Sequence, residues 1–213
     1  MIRNKLTVYL ADDHNVVRKG MTRLLTTFNR VNNVKEAING KMLIQLVREQ
    51  EPDAVILDVE MPELGGMEAA SYLIDHYPSV KILILTMHTE EGFVTRLMDL
   101  GVHGFLSKSS EPEELEKALY SIVDNDFYKN DLVIKAMQNL RKQSYPSHEK
   151  LSNREMEILT LICQEFTPGE ISERLNISEK TFFNHRANII AKTGVKNNIG
   201  LYKYALQRGY CAD

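Results

Sequence analysis

Five short apolar runs alternate with segments of helical length across the first 125 residues. The runs cover residues 6–11, 34–38, 54–57, 80–85 and 103–106. Three of them are apolar at nearly every position, which is typical of strands covered on both faces. Strands that alternate with helices favour parallel βα units. The sequence therefore predicts an α/β fold for this segment, with a doubly wound, five-stranded parallel sheet.

The chain from residue 151 onward has a helical pattern instead. Three tetrapeptides have the capping-box pattern: 110–113 before the last helix of the α/β segment, and 152–155 and 167–170 before two later helices. Ser178 has the position of a further cap, and a fourth helix follows Asn197. The gap before Ser178 is as short as a helix-turn-helix requires. We predict an α/β domain over 1–125, a linker over 126–150 with a short helix at 132–140, and a small all-α four-helix domain over 151–213.

The composition is that of a soluble globular protein. With 43% hydrophobic and 26% charged residues, the chain is unlike disordered or collagen-like sequences. Its longest strictly apolar runs are about four residues, against the ~20 of a membrane span, and no secretory signal is visible. Cys163 and Cys211 have neither disulfide-framework nor zinc spacing. These features predict a cytoplasmic protein with two reduced thiols.

The net charge of −3 conceals an uneven distribution. Residues 1–126 carry −7, residues 127–150 carry +3 and residues 151–213 carry +1. Between residues 180 and 196 no side chain is acidic and four are basic, namely Lys180, Arg186, Lys192 and Lys196. A basic helix in a helix-turn-helix favours contact with DNA phosphates over a merely solvated face. The acidic surplus of the first domain is expected to repel DNA, or to shield this helix until the domains separate.

Polar side chains follow the apolar runs where parallel strands end. Asp12 and Asp13 follow the first run, Asp58 the third, Thr86 the fourth and Lys108 the fifth. In strand order 2-1-3-4-5 the first and third strands are neighbours, so the carboxylates converge at one edge. They need a compensating cation, and oxygen ligands that retain water suit Mg²⁺. An aspartate beside Mg²⁺, with a hydroxyl and an ammonium opposite, can accept a phosphoryl group. Taken alone, the first two aspartates are equally compatible with a helix cap.

These residues resemble the receiver domain of two-component response regulators. The matching blocks are Leu10-Ala11-Asp12-Asp13-His14, Asp58-Val59-Glu60-Met61-Pro62 with Gly65 or Gly66, Leu85-Thr86, and Gly104-Phe105-Leu106-Ser107-Lys108. They occur in order, with family-like spacing, over the first 125 residues. The resemblance implies a flavodoxin-like fold. The sequence departs from the family pattern at Ser109, because the family often has proline directly after the lysine that corresponds to Lys108.

The resemblance also implies a role for each site residue. It implies that Asp58 is the phosphoacceptor and, with Asp12, Asp13 and the backbone carbonyl of Glu60, holds Mg²⁺. Thr86 and Lys108 would bind the phosphoryl oxygens. Phe105 would change its orientation on activation. Glu60 and His88 occupy positions at which the family tunes dephosphorylation. We expect their side chains to shape the access of the attacking water.

Residues 151–210 resemble the LuxR/NarL-type DNA-binding domain. The matching stretches include Leu151-Ser152-Asn153-Arg154-Glu155, Glu170-Ile171-Ser172-Glu173-Arg174-Leu175, Ile177-Ser178-Glu179-Lys180-Thr181 and Asn184-His185-Arg186. In that family the third helix enters the major groove, usually in a dimer packed through the fourth helix. By position, the DNA contacts are Lys180, Thr181, Phe183, Asn184, Arg186, Ala187 and Lys192. Phe182 and Ile189 are expected in the core. Phe183 replaces a polar residue and either meets a thymine methyl or folds back onto the domain.

The two resemblances together predict a DNA-binding response regulator. It would accept a phosphoryl group on Asp58 from a sensor histidine kinase and thereby control transcription. Its expected partners are that kinase, double-stranded DNA and a second copy of the chain, at least when phosphorylated; no membrane partner and no small-molecule turnover are expected. Two alternatives stay open: a DNA-binding regulator independent of phosphorylation, and a Mg-dependent phosphatase with an aspartate nucleophile. The second is disfavoured because Glu60 stands where such enzymes commonly have aspartate.

Overall fold

The computed structural model describes residues 5–88, 90–134, 151–195 and 197–211. Its N-terminal domain is a five-stranded parallel sheet of order β2-β1-β3-β4-β5. The strands are β1 (Leu6–Ala11), β2 (Val31–Ala37), β3 (Ala54–Leu57), β4 (Lys81–Thr86) and β5 (Gly104–Ser107). The helices are α1 (Asn15–Thr27), α2 (Gly40–Glu49), α3 (Gly66–His76), α4 (Glu91–Leu100) and α5 (Pro112–Asn125). The predicted α/β fold and strand order are confirmed.

Alternate strand residues enter two apolar layers, one on each face of the sheet. Val8 and Ile56 belong to the layer that α1 and α5 close. Tyr9 and Val55 belong to the layer shared with α2, α3 and α4. Every residue of β3 is buried, which explains why its sequence is apolar throughout. Cover on both faces leaves the carboxyl edge of the sheet as the open place for a site.

The C-terminal domain contains helices α6 (Asn153–Cys163), α7 (Pro168–Arg174), α8 (Glu179–Thr193) and α9 (Asn198–Arg208). The capping boxes predicted at Ser152 and Thr167 are both present. The Ser178 hydroxyl accepts a hydrogen bond from the backbone N–H of Thr181 at 3.1 Å. Helix α9 ends at Gly209, which has the left-handed φ of 72° that glycine adopts without strain. The predicted all-helical helix-turn-helix domain is confirmed.

Two local predictions in the first domain are wrong. Helix α5 has Glu111 at its N-cap rather than Ser110. The N–H of Ser110 donates to the carbonyl of Ser107 at 3.0 Å, so a turn after β5 delays the helix by one residue. Strand β2 begins at Val31 rather than at residue 34. As an edge strand it pairs with β1 through its backbone, and its polar start is therefore tolerated.

The linker falls largely outside the described residues. Of the helix predicted at 132–140, only residues up to 134 are described, and these are helical. The domain boundaries at residues 125 and 150 stay predictions. Among the described residues no helix is both long and apolar enough to cross a membrane.

Candidate functional site

The ends of four strands position the predicted phosphorylation site. The parallel register of β1 with β3 places Asp12 beside Asp58, whose N–H donates to the last carbonyl of β1 at 2.9 Å. The N–H of Lys108 donates to the carbonyl of Thr86 at 2.9 Å. This bond holds the lysine at the end of β4, although Ser109 replaces the usual proline. The structure thus brings the strand-end residues to one edge of the sheet.

The Lys108 ammonium is shared by two buried carboxylates. Its Nζ donates to Asp12 Oδ2 at 2.8 Å and to Asp58 Oδ2 at 2.6 Å. Burial lowers the pKa of Lys108, but its hydrogen bonds outweigh burial and the net pKa is raised. Burial also raises the pKa of Asp58, and Lys108 offsets that effect only in part. The lysine therefore stays charged and supplies the cation that buried carboxylates need.

An acidic cluster forms a candidate cation site on the solvent side. Ligand atoms of Asp12, Asp13, His14 and Asp58 lie within 4.8 Å of one another. Asp12 and Asp58 are buried whereas Asp13 and His14 are exposed, so the cluster opens to solvent. His14 was not predicted as a member. Its Nδ1 lies 2.8 Å from Asp13 Oδ1, and its place directly after two aspartates is its only sequence signal.

One glycine makes room for the backbone at Asp58. A Cβ at Gly66 would lie 2.0 Å from the Asp58 carbonyl oxygen. A Cβ at Gly65 would approach only the flexible carboxylate of Glu68, at 2.7 Å. The N–H of Gly66 also donates to the carbonyl of Val59 at 2.9 Å. The sequence motif did not distinguish Gly65 from Gly66. The close approach to Asp58 shows that Gly66 is the position at which a side chain would not fit.

A hydrogen-bonded bridge connects the loops that follow β3 and β4. His88 Nε2 lies 2.8 Å from Glu60 Oε1, and the N–H of His88 donates to the hydroxyl of buried Thr86 at 3.2 Å. The bond to Glu60 raises the pKa of His88 and lowers the pKa of Glu60. The two residues expected to tune dephosphorylation are therefore in contact. The metal-binding role of the Glu60 carbonyl stays a prediction.

Strand β5 links the site to the segment that follows α5. Phe105, the predicted switch residue, is buried within β5. Its carbonyl accepts a hydrogen bond from Asn130 Nδ2 at 2.9 Å. A displacement of β5 at Phe105 would therefore reach the beginning of the linker directly.

All seven predicted DNA-contacting residues lie on α8. The exposed members are Lys180, Phe183, Asn184 and Ala187, and the partly buried ones are Thr181, Arg186 and Lys192. Phe183 is 48% exposed and Phe182 is 1% exposed, and their rings pack edge to face at 5.2 Å between centroids. Phe183 thus packs against the buried Phe182 while keeping a free surface. Ile189 is buried, as predicted.

Two basic residues of α8 pair with carboxylates in this arrangement. Arg186 forms an ion pair with Asp126, the residue directly after α5, and its Nε donates to Asn198 Oδ1 at 2.8 Å. Lys192 Nζ lies 2.9 Å from buried Glu155. Lys192 therefore ties α8 to α6, whereas Arg186 ties α8 to the neighbouring domain.

Helix α9 packs against the first domain. Asn197 at its N-cap donates from Nδ2 to the carbonyls of Gly101 and Val102, at 2.6 and 2.8 Å, just before β5. Lys203 forms an ion pair with Asp99 of α4. These partners are about 100 residues apart in the chain. No local sequence pattern signals such a contact.

A largely buried charge cluster completes the domain contact. Asp126, with a left-handed φ of 69° after α5, pairs with Lys81 and Arg186, and His103 Nε2 lies 3.6 Å from its Oδ1. Burial raises the pKa of Asp126, but the surrounding cations outweigh burial and the net pKa is lowered. Burial lowers the pKa of His103 to about 4. The His103 ring is therefore neutral, and its Nδ1 accepts the N–H of Ile82 at 3.1 Å.

Comparison with known proteins matches both domains. Residues 8–120 match the family described as response regulator receiver domain, and residues 149–205 match bacterial regulatory proteins of the luxR family. The chain belongs to the response regulator family. It is a two-component response regulator with a LuxR-type helix-turn-helix domain, in a family of transcription regulators rather than enzymes. The resemblance to response regulators that the sequence motifs indicated is confirmed.

Relatives resemble this response regulator over both domains. It is 32% identical to response regulator UvrY of Escherichia coli strain K12, over 97% of the chain and 96% of UvrY. It is 31% identical to response regulator GacA of Pseudomonas aeruginosa, over 96% of the chain and 97% of GacA. RcsB of Salmonella typhimurium, a solved structure, has a TM-score of 0.59 at 29% identity, over 95% and 99%. The structure of an RcsB–DNA complex has a TM-score of 0.60 at 29% identity, over 96% of the chain and 99% of RcsB.

Proposed function

We propose that this response regulator accepts a phosphoryl group on Asp58 from a sensor histidine kinase and controls transcription through DNA contacts made by α8. The observation that carries the proposal is the placement of Asp58. Its Oδ2 accepts from Lys108 at 2.6 Å and its Oδ1 accepts from the N–H of Val59 at 2.8 Å. Asp12 and Asp13 lie beside it, and Thr86 ends the adjacent strand.

The chain's own residues account for the transfer step. A carboxylate oxygen of Asp58 attacks the phosphorus of the kinase phosphohistidine, and the P–O bond forms as the P–N bond breaks. The ammonium of Lys108 and the hydroxyl of Thr86 bind the phosphoryl oxygens, where negative charge is spread during transfer. Hydrolysis by water later returns the carboxylate, and the Glu60–His88 bridge controls the approach of that water.

The acidic cluster fits Mg²⁺. Asp12, Asp13 and Asp58 supply carboxylate oxygens, and the cluster opens to solvent at Asp13, which suits an ion that retains several waters. The Glu60 backbone carbonyl is the fourth protein ligand we propose. His14 is a poorer ligand for Mg²⁺ and fits better as a hydrogen-bond partner of Asp13. When bound, Mg²⁺ supplies neutralisation of charge on the transferring oxygens.

DNA binding requires the domains to separate. The DNA complex of RcsB, a relative of this chain, supports DNA as the partner. In the arrangement described here, however, Arg186 is paired with Asp126. Phe183 lines a cavity of about 710 Å³ whose receiver residues include the acidic Glu51, Asp53 and Asp124 together with Lys81. This lining supports shielding of α8, one of the two effects that the charge distribution predicted.

Homodimerisation is coupled to the same separation. One solved RcsB structure holds two dimers on two DNA molecules, which supports a homodimer as the active form. Here α9, the helix expected to dimerise, is engaged with α4 through Lys203 and Asp99. Phosphorylation adds roughly −1.5 to −2 charges at Asp58. We propose that β5 transmits this change to the contact that Asn197 makes with Gly101 and Val102. We also propose that the protein works in the cytoplasm.

Phosphorylation of purified variants tests the assignment of Asp58. With Mg²⁺ and acetyl phosphate, the wild type should acquire one phosphoryl group, seen as a retarded band on a phosphate-affinity gel. Asp58→Asn should not be labelled. Asp75→Asn, at an exposed position on α3, should be labelled like the wild type. Persistent labelling of the Asp58 variant would show that another residue is the acceptor.

Selection of bound DNA with and without phosphodonor tests the switch. We expect higher DNA affinity after phosphorylation, and affinity that falls with rising salt because phosphate contacts release counterions. Equal affinity in both states would favour the alternative of a phosphorylation-independent regulator. Release of phosphate from a free phosphoester, at many turnovers per chain, would favour the phosphatase alternative.

A further inference from the structure

The two cysteines of the chain meet in the folded helical domain. Cys163 is the last residue of α6, and Cys211 follows the end of α9. Gly209 reverses the chain there, and the N–H of Tyr210 returns to the carbonyl of Ala205 at 2.9 Å. This turn ends α9 two residues before Cys211. Cys211 packs against the core cluster that contains Cys163, and the two thiols are hydrogen-bonding partners.

The two thiols differ in exposure. Cys163 is buried, and Cys211 is partly exposed. The hydrogen bond to Cys211 and burial both raise the pKa of Cys163, so Cys163 stays protonated. The accessible Cys211 is therefore the thiol that a soluble reagent reaches first.

The dithiol lies beside the contact between the domains. Lys129, in the segment after α5, is near Cys163 and opposes the rise in its pKa. The Lys129 ammonium lies 4.8 Å above the centroid of the Tyr202 ring and 3.2 Å from Glu165. Tyr202 in turn stacks on Phe127 with ring centroids 6.3 Å apart. A covalent change at the thiols would thus occur where the helical domain meets the first domain.

We propose that Cys163 and Cys211 form a redox site that a hydroperoxide, a two-electron oxidant, converts to an intramolecular disulfide. A reversible disulfide is the form that cysteines in a reducing compartment take when they serve as sensors. The site is separate from Asp58 and from the DNA-contacting face of α8. The proposal therefore does not depend on the proposed phosphorylation.

The oxidation proceeds in two balanced steps. With hydrogen peroxide, the Cys211 sulfur attacks one peroxide oxygen, the O–O bond breaks, one water leaves and Cys211 becomes a sulfenic acid. The Cys163 sulfur then attacks the Cys211 sulfur, the S–O bond breaks, and the hydroxide leaves with the Cys163 proton as a second water. Two thiols lose two electrons in total, and the peroxide gains them.

Thiol counting on the full-length protein tests the proposal. After treatment with hydrogen peroxide, alkylation and intact mass should show both thiols lost and two hydrogen atoms removed. The chain should stay monomeric on a non-reducing gel, and dithiothreitol should restore both thiols. A disulfide-linked dimer as the main product, or two thiols that survive the treatment, would overturn the proposal.

Single-cysteine variants test the order of the steps. Dimedone, which traps sulfenic acids, should label Cys211 in Cys163→Ala but leave the wild type unlabelled, because there Cys163 captures the intermediate. Cys211→Ser, which keeps the buried thiol in place, should react at least tenfold more slowly with peroxide than Cys163→Ala. Equal dimedone labelling of the wild type and Cys163→Ala would show that the two thiols do not cooperate and would sink the proposal.

Discussion

At the scale of single residues, the candidate phosphorylation site depends on close contacts around Asp58. Lys108 pairs with two buried carboxylates, and Gly66 leaves space for the Asp58 carbonyl. The lysine was predictable because its type and position carry chemistry that a motif records. The choice of Gly66 over Gly65 was not predictable, because it depends on a distance between two backbone segments.

Alanine at Gly66 tests that distance. The added Cβ would meet the Asp58 carbonyl at 2.0 Å, so the backbone has to shift. We expect a loss in the free energy of unfolding of about 1–3 kcal/mol and slower labelling by acetyl phosphate. Urea denaturation and the phosphate-affinity gel measure the two effects.

Gly20→Ala is the matched control. Gly20 is exposed on α1, and a Cβ there would meet nothing within 4 Å. Alanine should stabilise the helix by about 0.5–1 kcal/mol. Wild-type stability and labelling in Gly66→Ala would show that the close approach does not constrain the site.

At the scale of elements, helix starts were predictable where the signal is local. The capping boxes of α6 and α7 each need only four consecutive residues, and both were found at the predicted positions. The start of α5 was misplaced at Ser110 because a turn at the end of β5 determines it. Asn197 makes both a local contact, within its own helix, and a distant contact with the receiver. Its Oδ1 caps α9 locally by accepting from the N–H of Gly200, while its Nδ2 binds the receiver.

Asn197→Asp separates the two roles of Asn197. The carboxylate can still accept from the N–H of Gly200, but it cannot donate to the carbonyls of Gly101 and Val102. Two buried hydrogen bonds of about 1 kcal/mol each are lost. We expect a shift towards separated domains of about tenfold or more, with α9 intact. Small-angle scattering should show a larger radius of gyration for the unphosphorylated variant.

Asn197→Ala is the comparison variant. It loses the cap as well as the donors, so the helical domain should be destabilised by a further ~1 kcal/mol. An aspartate variant with the wild-type radius of gyration and DNA affinity would contradict a role of Asn197 in domain closure.

At the scale of the whole molecule, ion pairs contribute to the contact between the two domains. The receiver carries the acidic surplus and the helical domain supplies Arg186, and these meet at Asp126. The uneven charge distribution was visible in the sequence and predicted that the receiver repels DNA or shields α8. Which carboxylate binds which cation was not visible, because the partners come from distant parts of the chain.

Asp126→Asn tests this closure by charge. Without the carboxylate, Lys81 and Arg186 face each other with no anion between them. We expect higher DNA affinity without phosphodonor, by about tenfold, measured by fluorescence anisotropy. Asp124→Asn is the control, because Asp124 pairs with Arg30 inside the receiver. An increase of equal size in both variants would show that loss of acidic charge alone, rather than release of Arg186, causes the effect.

The buried His103 predicts how stability depends on pH. Its pKa is about 4 in the folded protein, lowered by burial, and about 6.5 when unfolded. As the pH falls from about 6.5 to about 4, the unfolded state takes up a proton that the folded state does not. Stability from this group is therefore present above pH 6.5 and is lost over that interval, by roughly 3 kcal/mol.

Urea denaturation across this pH range measures the effect. His103→Gln, which retains an acceptor for the N–H of Ile82, should show a shallower loss of stability than the wild type between pH 6.5 and pH 4. Parallel curves for the two proteins would contradict the assignment to His103.

The sequence by itself determined the local and periodic features of this protein. Apolar runs and helical stripes specify the α/β and helical domains, because each element buries its own repeating face. Residues at the strand ends specify the acidic site, because parallel strands end at one edge. Only the tertiary structure decided that Arg186 pairs with Asp126 and that Cys163 meets Cys211. Those contacts join residues far apart in the chain, and packing between elements, which has no sequence period, sets them.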